Sequence, residues 1–373
     1  MRKITLLISA IILIGYIISC NKKTEDKAAT RSFYMGVTPW PADFTAQEVD
    51  NAYSFINDHC DIVSYHFDDG VPYDEALQNN PFPSKFLQEA QTRKTKTFPG
   101  KKIFLSVAAL NLSRSEKADY YDSNNVPDSI KNYWKKLSFD DSKVVKAYIN
   151  YISWLIDTFN PVYVNYGVES NLETWNPPQF ILYKNFLSQV YIQLKTKYPA
   201  IPFFLSFMVT ETASGYNYAS QLLPYTDFIG LSAYPYVIVS SSANGNTDPA
   251  NFPADYFTKF INLDSSKPIA FAETGYIAQD LVIPAISLNK QGTEKWQKDY
   301  LELICKLCNQ QRAKLLIWFC HKDYDAGIAT LKSAGLYQYL FDFWRDTGLE
   351  DETGRERPSY QSWLTWVNKK KVN

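Results

Sequence analysis

Short apolar runs alternate with longer amphipathic stretches along most of this chain. The apolar runs fall at 34–37, 62–66, 102–108, 162–166, 202–207, 228–232, 268–272 and 314–318. Each has the length of a strand and gives way within a few residues to Gly, Pro, Asn or an acid. Between them the pattern predicts helices at 45–58, 141–159, 178–198, 218–223, 254–261 and 294–310. The stretch up to Phe98 is helical in part, with a loop near 79–83, and a last helix at 360–367 closes the chain. Thr45 followed by Glu48 is a capping-box signature for the first helix. Strand then helix, repeated eight times, implies parallel strands, because each crossover is helical. Eight such units close a barrel, so the predicted fold is α/β, a single (β/α)8 TIM barrel over residues 33–373. A doubly wound open sheet would want a glycine-rich turn after its first strand. Thr38-Pro39-Trp40-Pro41 stands there instead.

Composition narrows the picture only slightly. The chain has 373 residues, is 46% hydrophobic and carries a net charge of −1, which removes any electrostatic case for nucleic acid. Its aromatic content of 16% supplies faces for stacking sugar rings as well as core. With three histidines in the whole chain, Cys305 and Cys308 lack further metal ligands, and no metal or cofactor is expected. Cys60, Cys305, Cys308 and Cys320 read as buried thiols, or as disulfide partners in an oxidising compartment.

The N-terminus stands apart from the barrel pattern. Arg2 and Lys3 precede an apolar run, 4–18, that is short for a membrane span and ends at Ser19-Cys20. This resembles a bacterial lipoprotein signal. The resemblance implies a signal peptide over 1–19, lipid on Cys20 and a flexible tether over 20–32. Asn, not Asp, follows the cysteine, which resembles signals for export to the outer membrane. The expected location is the bacterial envelope, with a monomeric barrel held to the membrane through the lipid on Cys20.

In a barrel of this kind the chemistry sits where the strands end. The strand-end residues are Trp40, His66, Asp68, Asp69, Asn111, Glu169, Asn171, Glu211, Tyr234, Glu273, Trp318, His321 and Asp323. Glu169 and Glu273 follow the fourth and seventh strands and face one mouth from two sides. Paired carboxylates in an aromatic cleft are the minimal equipment for glycoside hydrolysis: one donates a proton, the other attacks as a carboxylate. Retention of configuration requires them roughly 5–5.5 Å apart. Trp40 and Trp318 are candidate stacking faces, and Tyr234 is a candidate hydrogen-bond donor to the nucleophile. His66, Asp68, Asn171 and His321 are candidate sugar contacts.

These residues resemble clan A of the glycoside hydrolases, and within it the endo-β-1,4-galactanase (arabinogalactanase) family. The matching stretches are Gly167-Val168-Glu169, Ser232-Ala233-Tyr234-Pro235, Glu273-Thr274-Gly275-Tyr276, Trp318, and the closing Pro358-Ser359-Tyr360-Gln361-Ser362-Trp363. The resemblance implies Glu169 as acid/base, Glu273 as nucleophile and a polysaccharide substrate. Three positions depart from the family. Val168 replaces the Asn that contacts the sugar 2-hydroxyl, Ala108-Ala109-Leu110-Asn111 stands where an Asp-rich stretch is expected, and His66 or a neighbour replaces an Arg. Val168 keeps a second reading open, a carbohydrate-binding lipoprotein that has lost catalysis.

Overall fold

The computed structural model describes residues 30–172, 175–239 and 245–372. The signal peptide, Cys20 and the first part of the tether lie outside the described residues. Eight strands form one closed, wholly parallel barrel: β1 (Tyr34–Val37), β2 (Ile62–Phe67), β3 (Lys102–Val107), β4 (Tyr163–Gly167), β5 (Phe203–Met208), β6 (Ile229–Ala233), β7 (Ile269–Thr274) and β8 (Leu315–Trp318). Each strand pairs with its sequence neighbours, and β1 pairs with β8 to close the ring. All eight apolar runs are barrel strands, displaced by a residue or two at most. Among the described residues no helix is long and apolar enough to cross a membrane.

Besides several single turns, the longer elements that escaped the sequence pattern lie after β3, β7 and β8. The polar stretch after β3 holds a helix, Asp128–Lys136, in which only Trp134 is buried, so its apolar period is too thin to read. A two-stranded hairpin, Leu281–Ile283 with Leu288–Lys290, follows β7. A helix at Asp325–Ser333 and a 3-10 helix at Tyr339–Trp344 follow β8. The helix expected at 218–223 starts earlier, at Ala213, because the Thr212 hydroxyl caps the Gly215 N–H.

The interior of the barrel is layered. Ile62, Phe104, Phe204, Phe228, Ala270, Ala272, Leu315 and Ile317 pack together on the inside. Phe104 and Phe204 stack with centroids 5.6 Å apart. Gly230 makes room for them, since a Cβ there would lie 2.8 Å from the Phe204 ring. The outward-facing residues of the same strands join a second core beneath the helices. Toward the strand C-termini the interior turns polar: Ser64, Ser106, Asn165, Ser206 and Ser232 are all buried there. The Asn165 amide donates to the hydroxyls of Ser106 at 3.3 Å and Ser206 at 3.0 Å. The four cysteines among the described residues are buried and unbridged.

The described chain is anchored inside the stretch read as tether. Arg31 is only 2% exposed and grips the barrel floor. It makes a bidentate pair with Asp61 at 2.7 and 2.8 Å and donates to the carbonyls of Trp366 and Val367. Asp61 in turn accepts from the Met35 N–H of β1 at 2.8 Å. One guanidinium thus ties the first strand to the last helix. Arg31→Met leaves Asp61 and these carbonyls unpaired and is expected to cost about 3–5 kcal/mol of stability, measured as a shift in the urea midpoint. A change below about 1 kcal/mol would mean that the clamp is dispensable.

Candidate active site

Two interruptions in strand pairing aim the glutamates. On β6 and β7, Leu231 pairs with Phe271 but Ser232 pairs with Glu273, so β7 carries one extra residue, Ala272. β8 records the same bulge, pairing Leu316 with Phe271 and Trp318 with Thr274. Phe271 faces the helix layer and Thr274 hydrogen-bonds Tyr300 there, while Ala272 lies inside. The bulge therefore turns Glu273 inward beside Ala272, where strict alternation would have pointed it at the helices. A second bulge, on β4, lets Asn165 and Gly167 face consecutive residues Phe204 and Leu205 of β5. Two residues on, Glu169 takes a left-handed backbone, φ +50°. That conformation costs a non-glycine residue about 1–2 kcal/mol. The Glu169 N–H donates to Ser206 Oγ at 3.0 Å, and the Ser170 N–H to the Ser206 carbonyl at 2.9 Å, which holds the turn in place.

The two carboxylates are the ends of a chain of charges around the mouth. Glu169 Oε1 accepts from the Ser232 hydroxyl at 2.7 Å, and Oε2 accepts from Arg114 Nε at 3.0 Å. The two terminal nitrogens of Arg114 donate to the two oxygens of Asp68, both at 2.8 Å. His66 Nε2 lies 3.4 Å from Asp68, and its Nδ1 lies 3.5 Å from Glu273 Oε2. Glu273 Oε1 accepts from the Tyr234 hydroxyl at 2.5 Å. The five charged side chains are 8–20% exposed, sheltered from water but open to a ligand.

These contacts set the protonation chemistry. Burial raises the Glu273 carboxyl above its ordinary range and the Glu169 charge adds to it; His66 and the Tyr234 hydroxyl offset this only in part. Burial alone would lower the His66 imidazole, but the Asp68 hydrogen bond and the charges of Glu273 and Asp68 outweigh it and hold it above the usual value. Asp68 runs the other way. Burial opposes its charge, yet Arg114 and His66 prevail and hold it well below the carboxylate range. Burial and Glu273 keep the Tyr234 phenol protonated, so it remains a donor.

Of the strand-end candidates, Glu169, Glu273, His66, Asp68 and Tyr234 meet at the mouth. Trp318, Asn171 and His321, also proposed as site residues, do not join them. Trp318 is fully buried on the outer face of β8, where its Nε1 donates to the Thr347 carbonyl at 2.8 Å, so it offers no stacking face. Asn171 is fully buried and clamps a loop, donating to the carbonyls of Met208 and Gly215 and accepting from the Met208 N–H. His321 is 2% exposed, packed 5.3 Å from Phe55; burial and Lys322 push its imidazole down to about 3. Trp40 is half-buried among Phe44, Phe319 and Tyr324, with centroids 5.7–6.0 Å away. Phe319 in turn meets Trp344, and Trp344 meets Tyr234, so an aromatic wall runs from Trp40 to the mouth.

Arg114 and Ser206 were not foreseen, and Ser232 entered the sequence reading only as part of a motif, with no role. Arg114 sits in the loop after β3 with φ +56° and no local pattern to mark it. Ser206 and Ser232 are ordinary inward positions of β5 and β6. A possible metal cluster, Asp323, Asp325 and Glu352, has ligand atoms within 4.8 Å of one another. Arg357 already binds both oxygens of Asp323, at 2.8 and 2.6 Å, which neutralises the buried member. Arg114→Met should destabilise the fold by about 3–5 kcal/mol at neutral pH, because the sheltered carboxylates of Asp68 and Glu169 both lose their guanidinium. The depressed Asp68 pKa contributes stability above its unfolded value of about 3.9 and loses it below. The difference between wild type and variant should therefore shrink in acid, as read from urea midpoints at two pH values. A pH-independent difference would contradict this.

No protein-family model and no curated protein matches the chain. Solved structures match it in fold. The exo-β-1,4-mannosidase Op5Man5 from Opitutaceae bacterium strain TAV5 aligns over 92% of this chain at 14% identity with a TM-score of 0.60, and the chain spans only 60% of that protein. A GH5_18 protein from Bifidobacterium longum subsp. infantis aligns over 92% at 15% identity and a TM-score of 0.59, covering 80% of that chain. Xylanase 10B from Thermotoga maritima aligns over 91% at 11% identity and a TM-score of 0.58, covering 95% of that chain. At these identities the likeness establishes the barrel and its layout.

Proposed function

We propose that the protein is a retaining glycoside hydrolase acting on a polysaccharide. The observation that carries this reading is the convergence of Glu169 and Glu273 from β4 and β7 on one mouth, Glu169 held by Ser232 and Glu273 served by Tyr234 and His66. Glu273 attacks the anomeric carbon and forms a covalent glycosyl-enzyme. Glu169 protonates the departing oxygen and then takes a proton from the water that releases the sugar. Tyr234 and a protonated His66 steady the Glu273 carboxylate before attack. The solved structures of similar fold include a mannosidase and a xylanase by name, which supports a β-linked polysaccharide. The motifs around Tyr234 and Glu273 favour β-1,4-galactan. Lipid on Cys20 would hold the enzyme at the outer membrane.

Arg114 favours a second reading. A proton donor must be free to meet the glycosidic oxygen, and Glu169 Oε2 is engaged by a guanidinium. A sugar-binding lipoprotein without turnover fits that contact. Release of reducing ends from a panel of galactan, mannan and xylan separates the two readings, since binding without release favours the second. On the substrate cleaved, Glu273→Ala should abolish turnover, and Glu169→Ala should lower it by about 10²–10⁴. Full activity in both variants would remove the assignment.

The pH profile provides a separate check. Glu273 must be ionised to attack, and its pKa is raised. His66 is one of the groups pulling that pKa down, so His66→Gln should move the acid limb of kcat/KM to higher pH. A limb that stays put or moves to lower pH would show that another group controls it.

A further inference from the structure

The barrel floor, where the strands begin, combines unpaired cations with the point at which the chain leaves toward Cys20. Lys102 opens β3, Lys314 directly precedes β8, and Lys371 lies beside Arg31 in a single parallel bridge. β1 gathers them. The Tyr34 N–H donates to the Lys314 carbonyl at 3.0 Å, and the Lys371 ammonium lies 4.2 Å from the centre of the Tyr34 ring. The Lys102 N–H donates to the Asp61 carbonyl at 3.3 Å, and the Asp61 N–H to the Met35 carbonyl of β1 at 2.8 Å. Lys102 is exposed, and Lys314 and Lys371 are half-buried.

None of these three lysines makes an ion pair among the described residues. One carboxylate, Asp61, acts on Lys371, against the charges of Arg31, Lys314 and Lys102. Arg31 already holds Asp61 in a bidentate pair, so three positive charges are left over. Burial, and then the repulsion from Arg31, Lys314 and Lys102, lowers the Lys371 ammonium below its ordinary value. An anion at this face would relieve that repulsion. Tyr34 and Tyr163 lie side by side here, both half-buried, with centroids 6.3 Å apart. Tyrosine rings flanked by lysines suit the boundary between lipid headgroups and water.

The course of the chain says which anion this face meets. The Arg31 N–H donates to the Lys370 carbonyl at 3.1 Å, and its carbonyl accepts from the Val372 N–H at 2.8 Å, so residue 31 is fixed to the floor. Cys20 stands eleven residues before it in the sequence. Eleven residues span at most about 40 Å. A lipid on Cys20 therefore keeps the floor close to a bilayer, and the mouth lies at the opposite ends of the strands. We propose that the barrel floor is a membrane-docking surface on which Lys102, Lys314 and Lys371 meet the phosphates of anionic phospholipids, with the mouth turned away from the bilayer toward the polymer. The proposal rests on the reading of Cys20 as a lipid anchor and does not depend on glycosidase activity.

Flotation of the full chain carrying Cys20→Ser, which cannot be lipidated, with phosphatidylcholine vesicles that contain or lack phosphatidylglycerol tests it. The apolar run at 4–18 acts on both vesicle types, so the quantity read is the ratio of the two partition coefficients. That ratio should favour phosphatidylglycerol and fall with added salt. Lys102→Gln, Lys314→Gln and Lys371→Gln combined should lower it about 100-fold, and Lys314→Gln alone about five-fold. Lys131→Gln, Lys135→Gln and Lys136→Gln remove the same charge from the helix after β3, on the mouth side, and should leave it unchanged. An unaltered thermal midpoint shows that the triple floor variant is folded; if it is not, Lys314→Gln decides. The proposal is overturned if the two vesicle types bind equally, if the preference survives the floor substitutions, or if the mouth-side substitutions lower it as far. Tighter binding to duplex DNA than to the vesicles would overturn it as well. Palmitate incorporation at Cys20 tests the anchor separately: its absence removes the anchor, while the flotation ratio still decides the floor.

Discussion

Side chains on a closed barrel strand alternate between a narrow interior and the helix layer, and the rest of this structure follows from how that rule is kept and broken. Where it is kept, Phe104, Phe204, Phe228 and Leu315 fill the lower interior, and Ser106, Asn165, Ser206 and Ser232 form a polar layer above them. That layer gives the mouth a floor of hydroxyls and an amide. Where the rule is broken, on β4 and β7, an extra residue shifts the alternation, and each of these two strands brings a carboxylate to the same space. The left-handed turn at Glu169 is tolerated because Ser206 accepts its N–H and binds that of its neighbour.

Delivering two carboxylates into a sheltered space creates an electrostatic problem. The protein answers it with alternating charges: Glu169, Arg114, Asp68, His66, Glu273. Each acid is adjacent to a base, so no member is sheltered alone. The two ends differ. The Glu169 end is pinned by a permanently charged guanidinium, and the Glu273 end by an imidazole whose charge depends on pH. That asymmetry distinguishes the two carboxylates more than their burial does. Their exposures, 12% and 19%, are close.

The strand ends were informative because a charged residue after an apolar run must lie at the barrel rim. That reasoning picked out Glu169, Glu273, His66, Asp68 and Tyr234, which the fold brings together. It misplaced Trp318, because strands buried on both faces carry apolar residues at every position and show no parity. Only the register with β7 reveals that Trp318 points at the helices. Asn171 and His321 follow strands too, but the chain has by then turned into packed loops, and nothing local distinguishes a buried polar clamp from a sugar contact. Arg114 was invisible for the opposite reason. It arrives from a loop, and its partners lie 46 and 55 residues away in the chain.

The sequence by itself determined the number of strands, their parallel order, the closed barrel and the set of acids near its rim. It could do so because apolar periodicity and strand-ending residues are local properties. Tertiary structure alone decided which faces those residues present, through bulges that are visible only in the pairing of neighbouring strands. It also decided which cation meets which acid, because ion pairing depends on distances in space that chain order does not encode.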